Sequence, residues 1–311
     1  MDRLAIRDAL LYGDSTGNGA DALFAEGRSP EKWAAIRDHP GYRDMVQEAV
    51  REGERFLATP LRALRFSDYR IFDTTGSRSE YQKEYFDRRG RLKTFALLSL
   101  IFEEPAYIQA LEDAIWAVCD EYSWCLPAAM EGESLSVIVK KEDGGIRNPN
   151  APTVHPYLVR ELDRMIDLFA AETGFALVEI CSLLEHRLAP LVVHRARVRV
   201  KERILDSYLE PGRPFWWETT SINWAAVCAG STGAAALYLI PDGETLAPVL
   251  HRVLDTLARF LTGYGEDGVC TEGLAYWNYG FGFFVYFAEL LRQRTGGRID
   301  LLLDDKIEQI A

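Results

Sequence analysis

The sequence predicts an all-α protein, built from antiparallel helical hairpins that curl into an incomplete (α/α) toroid. Apolar residues recur at three- and four-residue steps in one segment after another, which is the helical period. Pro and Gly separate these segments at helical lengths. The one segment with strand-like alternation would have no partner strand to pair with. We therefore expect roughly ten helices in consecutive pairs.

Composition and charge exclude several classes of protein. The chain has 311 residues and a net charge of -12, which argues against a general nucleic-acid binder. No apolar run approaches the length of a membrane span, and the N-terminus lacks a secretory signal, so we expect a cytoplasmic protein. The five cysteines are odd in number and scattered, which predicts reduced, buried thiols. Neither a metal nor a cofactor is expected.

Residues 1–75 are predicted to form a helical extension that packs on the toroid, and residues 76–311 the toroid itself. Within the extension, Ser29 is placed to cap a helix that begins at Pro30, with Glu31 in its first turn. These residue types at these positions are typical of a helix start.

Two longer helices are predicted on either side of Pro105, which marks the break between them. Phe95 and Leu98 fall on one apolar stripe of the first helix. Leu111 and Ile115 do the same on the second. The pair is the first of the expected hairpins.

The middle of the chain is less regular. Residues 131–156 are rich in Gly, Pro and Asn and predict a long loop with one possible short strand. Helical periodicity returns over residues 157–188, with a break predicted near Gly174. Residues 192–211 fit a strand by alternation or a helix by apolar spacing, and we favour the helix. Four more helical segments complete the chain.

Three clusters of residues could carry chemistry, and the first is rich in arginine. Arg88 and Arg89 lie in the segment "SRSEYQKEYFDRRGRL". Guanidinium groups can form bidentate clamps on a carboxylate or sulfate. The alternative is a solvated helix face, on which arginine pairs with acids four residues away.

The second cluster is "PFWWETTSINWAAVCAGSTG", in which tryptophans surround Asn223 at the start of a helix. Asn at this position either caps the helix or presents its amide to a ligand oxygen. In the second case, Trp216, Trp217 and Trp224 would form a stacking platform for sugar rings.

The third cluster is "EDGVCTEGLAYWNYGFGFF". Asp267 and Glu272 are the carboxylates here that could act as the pair of a glycoside hydrolase. Tyr276 and Tyr279 would share a helix face, either as ordinary core residues or beside a ligand. The glycines after them allow close approach of a neighbouring backbone or a ligand.

The second and third clusters together resemble the heparinase II/III-type polysaccharide lyases. The resemblance rests on "NW" and "EGLAYWNYG", about fifty residues apart, and covers roughly residues 70–311. It implies an (α/α) toroid that leads into a C-terminal antiparallel β-sandwich. It also implies β-elimination of acidic glycans, of the heparan sulfate or alginate kind, without a cofactor.

The resemblance implies a role for individual residues. Asn223 matches the side chain that neutralises the uronate carboxylate. Tyr276 matches the tyrosine that serves as acid and base, with Tyr279 as the second candidate. The residues expected to bind or orient the substrate are Trp217, Trp224, Glu272, Trp277, Arg88 and Arg89.

Two features depart from the pattern of this family. Ala129 stands where many relatives carry His, and the chain ends before a β-sandwich, which usually supplies the catalytic His. We therefore expect the helical part of a longer protein, with an acidic oligo- or polysaccharide as substrate and no membrane or nucleic-acid partner. A homo-oligomer is compatible with the sequence. Two alternatives stay open, namely an (α/α)-barrel glycoside hydrolase using Asp267 and Glu272, and a non-catalytic glycan-binding domain.

Overall fold

The protein is all-α, as the sequence predicts. A computed structural model describes residues 1–129 and 161–311. In these ranges the one β feature is an isolated antiparallel bridge between Tyr264 and Cys270. The predicted loop at 131–156 and its possible strand lie outside the described residues. No helix within the described ranges has both the length and the apolar character that crossing a membrane requires.

The first described part contains most of the predicted early helices. They are α1 (Arg3–Ser15), α2 (Pro30–Asp38), α3 (Arg43–Leu57), α4 (Phe66–Tyr69), α5 (Ile71–Thr75), α6 (Ser79–Ile101) and α7 (Pro105–Cys119). The predicted cap at Ser29 is confirmed, because its side chain accepts a hydrogen bond from the Lys32 N–H at 3.3 Å. Pro105 occupies the first turn of α7, which confirms the predicted break.

The second described part contains the helices that build the core. They are α8 (Leu168–Leu184), α9 (Pro190–Val200), α10 (Asp206–Tyr208), α11 (Asn223–Leu239), α12 (Gly243–Leu261), α13 (Leu274–Arg294) and α14 (Asp305–Ile310). A single π-helical turn, Lys201–Leu205, joins α9 to α10. The helix favoured for residues 192–211 is therefore confirmed up to Tyr208.

The predicted helix break near Gly174 is wrong, because α8 runs through it without interruption. The glycine serves packing instead. A Cβ atom on Gly174 would lie 2.8 Å from Cγ1 of Ile204, which is closer than real Cβ contacts. The missing side chain lets the segment that follows α9 lie directly against α8.

Helix α11 lies at the centre of the fold and is buried along most of its length. It packs against α8, α12 and α13. Its small residues make this possible, since a Cβ on Gly230 would lie 2.9 Å from the Phe283 carbonyl oxygen and one on Gly233 would lie 2.5 Å from the Phe287 ring. Close packing of this kind holds the start of α11 in a fixed position relative to α13.

In the part of the chain that the structure describes, long consecutive helices pack against each other as hairpins, namely α6 with α7, α8 with α9, and α11 with α12. The N-terminal region joins this body, because α1 packs on α12 and α3 packs on α6. One buried apolar cluster runs from Ile6 in α1 to Ile310 in α14. The helical hairpins are thus present, while their closure into a toroid stays a prediction.

Candidate functional site

The starts of α11 and α13 meet, and this contact brings together the second and third clusters of the sequence. Gly280 of α13 lies against Asn223 of α11. A Cβ on Gly280 would lie 3.1 Å from both Cα and Cβ of Asn223 and 3.1 Å from the Phe260 ring. The two helices therefore approach as closely as a glycine permits.

Asn223 is bound by Glu272 at this junction. It is the first residue of α11, and the preceding Ile222 is the residue at the cap position, so capping by the Asn223 side chain is not observed. The Asn223 backbone N–H donates to Glu272 Oε2 at 2.6 Å, and Nδ2 donates to Oε1 at 2.8 Å. An ionised carboxylate only accepts hydrogen bonds, so the contact fixes the orientation of the amide.

The contact with Glu272 uses only part of the hydrogen-bonding capacity of the Asn223 side chain. The residue is 3% exposed, and its Oδ1 atom has no hydrogen-bond partner among the described residues. Nδ2 carries two hydrogens, of which Glu272 takes one. The remaining hydrogen is a donor for a second acceptor. Glu272 also satisfies one of the backbone N–H groups that every helix start leaves unpaired.

Tyr276 and Tyr279 are both helical, because α13 begins at Leu274. The two tyrosines differ in their surroundings. Tyr276 is 52% exposed. Tyr279 is half-buried, and its hydroxyl donates a hydrogen bond to Oε1 of Glu172 on α8. Of the two predicted candidates, only Tyr279 has an acid–base partner among the described residues.

Burial shifts the pKa values of Glu172 and Tyr279. Burial raises the pKa of Glu172, and the hydrogen bond from Tyr279 partly offsets that rise because it stabilises the carboxylate. The pKa of Tyr279 is raised by burial and further by the nearby carboxylate. The neutral phenol is therefore the stable form of Tyr279.

Two of the predicted tryptophans, Trp224 and Trp277, keep accessible surface. Trp224 is half-buried, and its ring centre lies 4.9 Å from that of Trp216. Trp277 is half-buried and lies nearly parallel to Phe281, with ring centres 5.9 Å apart. Trp216, which belongs to the same predicted stacking platform, is also half-buried. These rings offer apolar surface next to hydrogen-bonding groups.

The assignment of Trp217 to the substrate is wrong. Its side chain is fully buried, and its Nε1–H donates to the Ile166 carbonyl at 2.9 Å. Its ring stacks between Phe215 and Tyr208, with ring centres 5.2 and 6.1 Å away. A ring without accessible surface cannot stack on a sugar, so Trp217 belongs to the core.

Arg88 and Arg89 are likewise buried rather than presented to a substrate. Arg88 donates to the Arg62 and Ala117 carbonyls and to Glu121. Arg89 donates to Glu121 at 2.6 Å and to the Thr173 hydroxyl at 3.3 Å. Both predicted roles, the clamp and the solvated helix face, are therefore wrong, because these guanidinium groups join α6 to its neighbours.

The two carboxyl groups of the predicted hydrolase pair have different surroundings. Glu272 accepts two hydrogen bonds from Asn223. Asp267 lies in an exposed turn, where its Oδ1 accepts the Val269 N–H at 3.1 Å. One carboxyl group is bound at the junction and the other is exposed, and their pairing in a glycoside hydrolase stays a prediction.

Three carboxyl groups of this region were missed in the sequence. Burial raises the pKa of Asp167 to about 6 and that of Glu179 to about 7, and it also raises the pKa of Glu172. Asp167 caps α8 by accepting the Ala170 N–H at 2.7 Å. Glu172 and Glu179 are seven residues apart and share a face of α8. The sequence feature that could have identified Glu172 and Glu179 is the presence of two acids on one face of the apolar segment "LFAAETGFALVEICSLL".

A separate surface cavity of about 590 Å³ lies between α2 and the C-terminal ends of α6 and α8. Arg28, Trp33 and Arg187 are among its lining residues, and none of the predicted site residues lines it. Within residues 1–129 and 161–311, no group of three or more His, Cys, Asp or Glu side chains could hold a metal ion.

No protein-family model matches the chain, and no curated protein matches it.

Proposed function

We propose that this chain acts as a lyase that cleaves uronate-containing glycans by β-elimination. The observation that carries the proposal is the junction of α11 and α13. There, Glu272 holds the Asn223 amide against the helix that bears Tyr276 and Tyr279. An amide donor and a tyrosine on adjoining helices are the two kinds of group that this reaction requires.

The chemistry explains the need for the amide. β-Elimination removes the C5 proton of a uronate and expels the oxygen on C4. The C5 proton is weakly acidic, so negative charge that develops on the carboxylate must be stabilised by fixed donors. The free Nδ2 hydrogen of Asn223 is such a donor. Since Asn223 is 3% exposed, a substrate carboxylate would reach it by displacing a neighbouring side chain.

The surroundings suit an anionic sugar. Trp224 and Trp277 offer half-buried rings on which a pyranose ring can stack. Lys93 of α6 is exposed, and its charge acts on Glu172. It would supply positive charge to a uronate polymer on a protein that is acidic in total.

A spectroscopic assay tests the proposal. The protein is mixed with several uronate polymers, and the absorbance of the unsaturated uronate product is followed. We expect absorbance to rise on at least one polymer. We expect Asn223→Ala to lower kcat by about 10²- to 10³-fold, the usual effect of removing one donor to a developing oxyanion.

Two matched controls keep the result interpretable. Asp267→Asn changes an exposed side chain in the neighbouring turn and should leave the rate unchanged, and circular dichroism should show Asn223→Ala folded. Saturated products without a chromophore would indicate hydrolysis, and binding without cleavage would indicate a glycan-binding domain. Either result would contradict the proposal.

A further inference from the structure

Glu172 contacts Tyr279 across two helices that are far apart in sequence. The Tyr279 hydroxyl on α13 donates to Glu172 Oε1 on α8, and both side chains are half-buried. A hydroxyl can pass its proton to the carboxylate that accepts its hydrogen bond. We propose that Glu172 takes and returns this proton, so that Glu172 and Tyr279 form the proton-transferring unit of the site. The inference rests on the proposed lyase function.

A tyrosine alone would be a poor base at this position. To accept a proton from carbon, Tyr279 would first have to become a phenolate. Its burial and the adjacent Glu172 carboxylate both disfavour that form. If Glu172 receives the hydroxyl proton as Tyr279 takes the substrate proton, the phenolate does not have to form in advance.

The groups around Glu172 support this exchange. Lys93 and Arg89 face it from α6, and their positive charges favour its ionised form. Negative charge on Asp167, at the start of α8, disfavours ionisation of Tyr279. Cys228 of α11 is fully buried, and burial raises its thiol pKa well above the ordinary value, so it stays neutral. Glu172 is therefore the acceptor that these surroundings leave for the Tyr279 proton.

The proton balance of the reaction closes with these two residues. The resting pair holds one proton, on Tyr279. Tyr279 oxygen takes the C5 proton while its own proton moves to Glu172, and the C5–H electrons form the C4=C5 bond. The C4–O bond breaks, and the leaving oxygen takes a proton from Tyr279. The proton on Glu172 then returns to Tyr279, so the pair is restored without another reactant.

Substitution of Glu172 tests this role. Glu172→Gln can still accept a hydrogen bond from Tyr279 but cannot take its proton. We expect kcat to fall by about 10²- to 10⁴-fold, the usual contribution of a general acid–base group, with KM changed less than about threefold. The kcat of Tyr279→Phe should fall by the same factor. The double variant should be no slower than either single variant, because the two residues act as a unit.

Glu179→Gln is the matched control, since Glu179 lies on the same face of α8 and also has a raised pKa. It should keep the wild-type rate. Glu172→Asp, which keeps the acid, should recover part of the activity. Carbon-13 NMR of labelled glutamate should show Glu172 titrating above its ordinary range, and higher still in Tyr279→Phe, where the stabilising hydrogen bond is lost.

The outcomes separate the two proposals. Unsaturated product from wild type with near-normal kcat in folded Glu172→Gln would overturn the role of Glu172 and leave the lyase function standing. Loss of turnover in Tyr276→Phe with normal turnover in Tyr279→Phe would do the same. Wild type that gives no unsaturated product on any uronate polymer would overturn both.

Discussion

Replacing Glu272 with Ala should destabilise the protein measurably, because this one side chain accepts two hydrogen bonds from Asn223. The variant would leave a backbone N–H at the start of α11 and a buried amide unpaired. Hydrogen bonds to charged groups contribute about 1.5–3 kcal/mol each. Glu272 is partly exposed, so water would replace some of this loss. We expect the free energy of unfolding to fall by about 2–4 kcal/mol.

The expected change in melting temperature follows from the length of the chain. An unfolding entropy of about 2.1 cal/mol/K per residue gives roughly 0.65 kcal/mol/K for the whole protein, so Tm should fall by about 3–6 °C. Urea unfolding and thermal melting, both followed by circular dichroism, measure the two quantities. Glu272→Gln keeps one acceptor, so its free energy of unfolding and its Tm should lie between those of wild type and Glu272→Ala.

Asp267→Ala is the control, because Asp267 lies in the same turn region but accepts one hydrogen bond in an exposed position. It should cost less than about 1 kcal/mol. If the free energy of unfolding of Glu272→Ala is within about 0.5 kcal/mol of the wild-type value, the contact with Asn223 does not hold the junction. The site proposed at this junction would then be wrong.

Four further substitutions test the packing and the buried charges. Gly280→Ala should cost about 1–3 kcal/mol by overpacking against α11, whereas Gly282→Ala, with nothing within 4 Å, should stabilise α13 by about 0.5–1 kcal/mol in urea unfolding. The raised pKa of Glu179, about 7 against 4.5, means that the folded state binds more protons than the unfolded state between these values. Stability should therefore fall as pH rises through this window, by at most about 3 kcal/mol, and Glu179→Gln should remove that part of the slope in unfolding measured from pH 4.5 to 7.5. Glu121→Ala should lower the free energy of unfolding by about 3–5 kcal/mol in the same assay, because it leaves two buried guanidinium groups without their shared carboxylate. A loss below about 1 kcal/mol would show that the contacts of Arg88 and Arg89 with Glu121 do not join α6 to its neighbours.

Helices were predictable from the sequence because their signals are local. The cap at Ser29 and the proline that starts α7 act within one turn, and both are where the sequence predicts them. Gly174 was misread because a glycine inside a helix looks like a break until its neighbour is known. That neighbour, Ile204, lies thirty residues further along the chain.

Side-chain roles were harder to predict because they depend on partners distant in sequence. The residues of the "NW" and "EGLAYW" segments were chosen correctly as neighbours, but their spacing does not reveal that Glu272 binds Asn223. Trp216 and Trp217 are adjacent and have similar sequence surroundings, but the fold buries only Trp217 fully. The sequence left Arg89 without an evident partner, because the carboxylate that it binds, Glu121, comes only after α7.

The two carboxylates of the site differ in the kind of donor that binds them, and this difference decides their proposed tasks. Glu272 is bound by a backbone N–H and an amide N–H of Asn223, groups that do not release protons near neutral pH. It can hold the amide in place but cannot exchange a proton with it. Glu172 is bound by the hydroxyl of Tyr279, a group that can give its proton away. We therefore propose positioning as the role of Glu272 and proton transfer as the role of Glu172, although sequence alone presents both as glutamates.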